Sequence, residues 1–437
     1  MTDTRSDIAH LYRRAGFGAL PSELDAAEAQ GYQAAVAFLL HPPSPTGSPT
    51  GPPDPTFAAA FPPPRSARSR ASSQAERLAL AHQLAQDRLA LGTWWMDRMT
   101  SGSDPLAEKM TLYWHGHFAT SIQKVRYPVL MFHQNQIFRS MGLGSFATLT
   151  QTVAKNPAML IWLDAGSDHI SHPNENFSRE LMELFTLGLG NYTEDDVRQA
   201  ARCFTGWQID RSTGGFTLPP AQHDNGTKTF LGHTANLSGE DVISIVTQAP
   251  AGQRFVAARM WSHFAYPITP TDKIVDDLIG AYGANLDLSA LMQAVFTHPQ
   301  FLSDQARSGL IKQPVEWVVG AQRALRTTLG IPATEATLAA LGQVPFAPPN
   351  VGGWPQNGYW LSTSASSTRL AFATALARKA DLKSLSSAAV ADRPDTAAHL
   401  LSLDPWSATT ASALGRVSSD PVALMALALV SPEYVSN

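Results

Sequence analysis

Along most of the chain apolar residues return every three or four positions, the spacing that stacks one face of an α-helix. The pattern predicts helices over residues 6–18, 22–31, 32–40, 73–100, 105–118, 126–141, 145–154, 174–189 and 193–206. It continues over 239–248, 252–265, 270–283, 288–297, 312–329, 333–342, 366–382 and 421–430. Start signals support several of these. Asp104-Pro105 supplies a capping carboxylate followed by proline at the first helical position, and Thr193 to Asp196 and Asp287 to Ser289 have the same polar-to-apolar entry. Strict alternation, the mark of strands, is scarce. The best strand candidate is a short hairpin around Trp207–Leu231, read from the Gly214-Gly215 turn and the β-prone run Thr227 to Leu231. The fold class is therefore mainly α: a large multi-helix domain with a small β-hairpin insertion.

The periodicity stops after residue 41. Prolines 42, 43, 45, 49, 52, 53, 55 and 62–64 crowd a stretch rich in Ser and Gly, which reads as a loop or linker of polyproline character rather than packed structure. The expected organisation is N-terminal helices over 1–41, a Pro-rich linker over 42–72, and a main helical domain over 73–437, subdivided near 235 and 310.

Composition narrows the functional classes. With 32 Lys+Arg against 36 Asp+Glu and a formal charge of −4, the chain has no basic surplus for nucleic acid. No run of roughly 18 apolar residues occurs, so no membrane span is expected. Met1 to Asp7 contains no apolar signal core, which makes a cytoplasmic location the expectation. Cys203 is the single cysteine. It excludes an intramolecular disulfide and a cysteine-based zinc site, and it reads as a buried, inert thiol.

Candidate chemistry lies mainly in two segments. In Trp114 to Phe118, at about 100° per residue from Leu106, His117 falls near 20°, inside the apolar stripe of Met110, Tyr113 and Trp114. His115 falls near 180°. A continuous helix therefore points the two rings to opposite sides, whereas a chain extended beyond Gly116 would let both bind one ion. His117 is either a core histidine bonded to a carbonyl or a ligand or general base. In Asn174 to Leu184 all charges share one arc. Glu175, Arg179 and Glu183 stand at i, i+4 and i+8, an ion-pair ladder if solvated. If the arc faces a cavity, Glu180 and Glu183 could hold a divalent metal ion, or one could act as a base beside Arg179. His223-Asp224, on a loop after the glycine turn, offers a base or a ligand, although Asn225-Gly226 alone would account for a hairpin turn. Pro348 to Pro355 reads as a rigid loop that could line a pocket. Phosphate-loop, dinucleotide, nucleophile-elbow and His-Glu-x-x-His signatures are absent from the sequence.

Several ordered motifs resemble a bacterial family known as domain of unknown function 1800. They are His10 to Gly18, Glu108-Lys109-Met110 through Ser121, Asn174-Glu175-Asn176 through Gly188, Tyr192-Thr193 through Trp207, His223-Asp224 through Gly232, and Phe346 through Pro355. The resemblance spans nearly the whole chain. It implies a shared fold and implies that many relatives are exported, often beside a phosphatase-like or sulfatase-like partner; it implies no activity. His115, His117, Glu175, Arg179, Glu180, Glu183, His223 and Asp224 fall within its motifs. The expectation is a helical enzyme acting on a small molecule by hydrolysis or proton transfer. In it His115, His117, Glu180 and Glu183 are metal ligands, while His117, Arg179, Glu183, His223 and Asp224 carry the catalysis. The alternative is a non-catalytic helical scaffold that docks a protein partner.

Overall fold

The computed structural model describes residues 4–42, 51–58, 73–101, 104–167, 169–210, 213–403 and 405–436. Its longer helices, in chain order, are α1 (Thr4–Ala15), α2 (Pro21–Gln30), α3 (Tyr32–Leu40), α4 (Gln74–Ser101), α5 (Pro105–His117), α6 (Pro128–Met141) and α7 (Phe146–Ala154). Then come α8 (Glu175–Glu180, continuing as a π-helical turn over Leu181–Thr186), α9 (Glu194–Phe204), α10 (Gly239–Gln248), α11 (Pro250–Phe264), α12 (Lys273–Tyr282) and α13 (Leu288–Thr297). The remainder are α14 (Pro314–Ala324), α15 (Ile331–Leu341), α16 (Thr363–Lys379), α17 (Arg393–Leu400), α18 (Ala408–Val417) and α19 (Pro421–Leu429). The fold is mainly α.

The capping signals act as chemistry requires. Asp104 accepts from the Ala107 amide and Thr193 from the Asp196 amide, each satisfying a donor the first helical turn leaves open. Proline holds the first helical position of α5, α6, α11, α14 and α19.

Two apolar clusters form the interior. The first joins α1–α3 to α7–α13; Tyr32 Oη bonds the Phe296 carbonyl at 2.7 Å, and His10 Nε2 the Phe301 carbonyl at 3.0 Å. The second joins the C-terminal half of α4 and α6 to α14–α19. Helix α5 serves both: Leu106, Met110, Tyr113 and Trp114 enter the first and Leu112 the second. That position explains why nearly every residue of α5 is buried, including Glu108, Lys109, His115 and His117. Glu108 is tolerated there because Arg98, Arg139 and the Trp95 indole all bond it. Residues 74–90 of α4, by contrast, are almost wholly exposed, with Leu78 and Leu89 on the surface.

Three expectations change. The single hairpin becomes two small antiparallel pairs, β1 (Gln208–Ile209) with β2 (Phe216–Thr217) and β3 (Lys228–Phe230) with β4 (His233–Ala235). The run around Thr229 thus pairs forward rather than back. Leu231 and Gly232, both at positive φ (46° and 80°), make the two-residue turn whose twist matches the strands. Asn225-Gly226 is no strand turn; there Asp224 Oδ1 accepts from the Gly226 amide. Part of the Pro-rich stretch is packed. Phe57 is buried against Phe132, and His133 bonds the Ala58 carbonyl at 3.0 Å. Residues 43–50 and 59–72 lie outside the described residues. Short helices at Ile122–Val125, Pro157–Trp162 and Lys383–Ser387, together with α17 and α18, carried too little periodic pattern to be predicted.

Candidate functional site

Helix α5 repeats Lys109, Tyr113 and His117 at i, i+4 and i+8, so the three share one face. Helix α11 does the same with Phe255, Arg259 and His263. The two faces meet: the Tyr113 ring stacks on His117 at 5.8 Å and stands edge-on to His263 at 4.9 Å. The loop 350–356 closes the third side. Gly353, at φ 83°, lies so near the Gly116 carbonyl that any Cβ would collide with it. This close approach lays the Trp354 indole over Gly116 of α5. Gln313, the residue before α14, completes a cleft lined by Leu112, Tyr113, Gly116, His117, Arg259, His263, Gln313, Gly352, Trp354 and Gln356. Its free volume is about 30 Å³, on the scale of one or two waters, so only a small group reaches the floor.

His117 Nε2 lies 2.9 Å from the Phe185 carbonyl. A carbonyl only accepts, so Nε2 carries the proton and Nδ1 is a bare lone pair. The acceptor is supplied by the end of α8. In the π turn both the Leu187 and Gly188 amides go to the Met182 carbonyl, and Thr186 Oγ1 bonds Leu181. The Phe185 carbonyl, one of the open acceptors at a helix end, is thereby left to an outside donor. Burial, reinforced by Arg259, holds the His117 pKa well below the usual imidazole range, against a smaller opposing effect of the Phe185 bond. Burial brings His263 down to about 4, with Glu316 opposing. Both rings are neutral near pH 7.

Buried polar atoms nearly always find a partner. On this cleft His117 Nδ1, His263 Nε2 and Trp354 Nε1 have none, and the Tyr113 hydroxyl has only the Arg259 guanidinium beside it. Arg259 lies over the Phe255 ring at 5.4 Å and makes no ion pair among the described residues. Among the described residues no carboxylate lines the cleft. Glu316 lines a smaller adjoining cavity with His263, Gln313 and Gln356 and is held by buried Lys109 at 2.5 Å. Burial raises its pKa, but Lys109 and His263 more than offset that.

A family model described as protein of unknown function (DUF1800) matches residues 10–436. The chain belongs to the DUF1800 family. No curated protein and no solved structure matches it.

In this DUF1800 chain the residues singled out by sequence lie in four places. His117 is in the cleft. His115, on the far side of α5 because the helix runs unbroken to His117, is caged by Trp95, Phe346 and Trp354, and burial lowers its pKa to about 3. The glutamate helix turns its charges to the surface. Arg179 pairs with Glu194 at 2.6 Å and, at 3.6 Å, with Glu175. Glu183 accepts instead from Tyr192 at 3.0 Å, because the π turn begins at Leu181 and breaks the i, i+4 register. Burial raises the Glu180 pKa, with Glu183 adding to it. His223 and Asp224 fix a corner: His223 Nδ1 bonds the Thr205 carbonyl at 2.8 Å and Asp224 pairs with Arg202 at 2.7 Å. Neither lines the cleft.

The expected metal quartet is thus dispersed, and among the described residues no three His, Cys, Asp or Glu side chains gather so as to hold a metal ion. The catalytic set Arg179, Glu183, His223 and Asp224 does not surround His117 either. Cys203 is buried, its Sγ directed at the Gln199 carbonyl, and burial raises the thiol to about 11, the state of an unreactive cysteine. Sequence reasoning missed Tyr113, Arg259, His263, Gln313 and Gln356. The available signal was Arg259 and His263, one turn apart in a run otherwise made of Val256, Ala257, Ala258, Met260, Trp261, Ser262 and Phe264. No helix among the described residues is long and apolar enough to cross a membrane.

Proposed function

We propose that this protein is an enzyme that moves a proton on a small molecule held in the Tyr113–His117–Arg259–His263 cleft. The observation that carries the reading is the His117 ring, anchored through Nε2 to the Phe185 carbonyl with Nδ1 unpartnered on the cleft wall. A general base needs this arrangement: one nitrogen tied to a fixed acceptor, the other free and unprotonated. The substrate proton passes to Nδ1, the ring becomes an imidazolium still bonded to Phe185, and the proton returns to another position of the same molecule. Tyr113 and His263 bond the substrate's polar atoms. In this role His117 is the catalytic residue.

The reaction leaves a trace even when the substrate is unidentified. A small-molecule extract incubated with the protein in D₂O is expected to yield at least one compound heavier by one or more deuterons, absent with His117→Gln. The same labelling by both proteins, or none with either, refutes the reading.

A non-catalytic scaffold that docks a protein partner draws on one observation, the exposed Leu78 and Leu89 on the unpacked half of α4. Under it no compound is labelled, and Leu78→Asp/Leu89→Asp weakens a complex that the wild-type chain forms.

A further inference from the structure

We infer that the ligand of this cleft carries an oxyanion group, a carboxylate or a phosphoryl, seated against Arg259. The inference rests on the proposed site but needs no proton transfer. A half-buried arginine normally meets a carboxylate; among the described residues Arg259 meets the Phe255 ring and the Tyr113 hydroxyl, and no Asp or Glu lines the cleft. The surroundings are biased the same way. Buried Lys109 and Arg14 lie near enough to add to Arg259 in opposing protonation of His263, and Glu316, the acid beside them, is paired with Lys109. Donors converge where the anion would lie. Gln313 Oε1 accepts from Gln343, which leaves the Gln313 amide NH₂ to donate. The Tyr113 hydroxyl and His263 Nε2, both buried and without another protein acceptor, can add two more. A planar guanidinium with flanking neutral donors is the arrangement that binds two oxygens of one anionic group.

Anion and base are then coupled. Tyr113, His263 and Arg259 are the titratable groups facing His117 in the cleft, and Arg259 is the charged one. An anion on Arg259 cancels the charge that, after burial, opposes protonation of His117. Ligand binding thereby strengthens the base at the moment it is needed.

The test uses protein labelled at histidine, with the His117 and His263 imidazole signals assigned from His117→Gln and His263→Gln. Inorganic phosphate and acetate are titrated at constant ionic strength with chloride as the control. Saturable shifts of both signals with phosphate or with acetate are expected, and the stronger of the two names the head group. Arg259→Gln is expected to weaken the midpoint at least tenfold, and Arg259→Lys less. Arg259 makes no ion pair among the described residues and is partly exposed, so both variants should keep the wild-type near-UV circular dichroism. No saturable shift with either anion, or an unchanged midpoint in Arg259→Gln, overturns the inference. Anion binding retained in His117→Gln, with no His117-dependent deuterium label, removes the proton-transfer reading and leaves this one standing.

Discussion

Replacing His115 by Phe should make the protein markedly less sensitive to acid. His115 is fully enclosed by aromatic rings, and its Nε2 has no partner. Folding holds its pKa at about 3, against an ordinary value near 6.5 in the unfolded chain. The unfolded state therefore binds the proton first. The contribution of the neutral ring to stability is intact above about pH 6.5 and is lost progressively as pH falls toward the folded value. At pH 5 the gap already opened is about 1.5 pH units, and at about 1.4 kcal/mol per unit the loss is about 2 kcal/mol. His263, at about 4, loses a similar amount by the same pH, and His10 and His117 shift in the same direction. His115 and His263 alone thus remove about 4 kcal/mol from a total that for most domains is about 5–15 kcal/mol. Urea unfolding followed by tryptophan fluorescence at pH 7 and pH 5 measures the loss. His115→Phe should match or exceed wild-type stability at pH 7, since it removes a buried polar atom without a partner. Its loss between pH 7 and 5 should be smaller by about 2 kcal/mol. A variant that loses as much as the wild type would refute the argument that His115 is kept neutral by burial.

Three further outcomes are expected. Glu316→Gln strands the Lys109 amine, whose side chain is 2% exposed, and should cost about 3–5 kcal/mol by urea unfolding, most of it recovered when Lys109→Met is added. Gly353→Ala should lift Trp354 off α5, because its Cβ has no room beside the Gly116 carbonyl; weaker anion binding and a lower melting temperature are expected, since Trp354 is buried and also covers His115. Arg179→Ala should change neither the melting temperature nor anion binding, since its partners are exposed and it lies outside the cleft.

The helical architecture was legible because periodicity and caps are local, and α5 and α9 start where Asp104 and Thr193 said they would. Helical spacing offered the divergence of His115 and His117 as one of two outcomes, which the helix unbroken to His117 decides, and the loop ending at Pro355 does line a pocket, through Gly352 and Trp354. What failed was non-local. Glu183 was placed on the Arg179 ladder because a regular α-helix was assumed, and the widening after Glu180 has no marker in residue type. The strand at Lys228–Phe230 pairs forward, not back across Gly214-Gly215 as the sequence suggests, because its turn puts Leu231 at positive φ, which residue type does not announce. Arg259 and His263 escaped notice because each alone is an ordinary helical residue; what distinguishes them is the lack of a partner, which only packing reveals.

The widened turn at the end of α8 has a consequence for how this protein can change. A π turn holds one residue more than the helix around it requires. Deleting one residue between Leu181 and Leu184 would remove that surplus and let the turn close as regular α-helix with the segments on either side still in register, which re-aims the carbonyls inside the turn, that of Phe185 among them. His117 would lose the acceptor that fixes its tautomer although no residue of the cleft had been touched. The protonation pattern of an imidazole on one helix is thus written in the length of another, and a change in chain length there alters the chemistry more surely than most substitutions within the cleft.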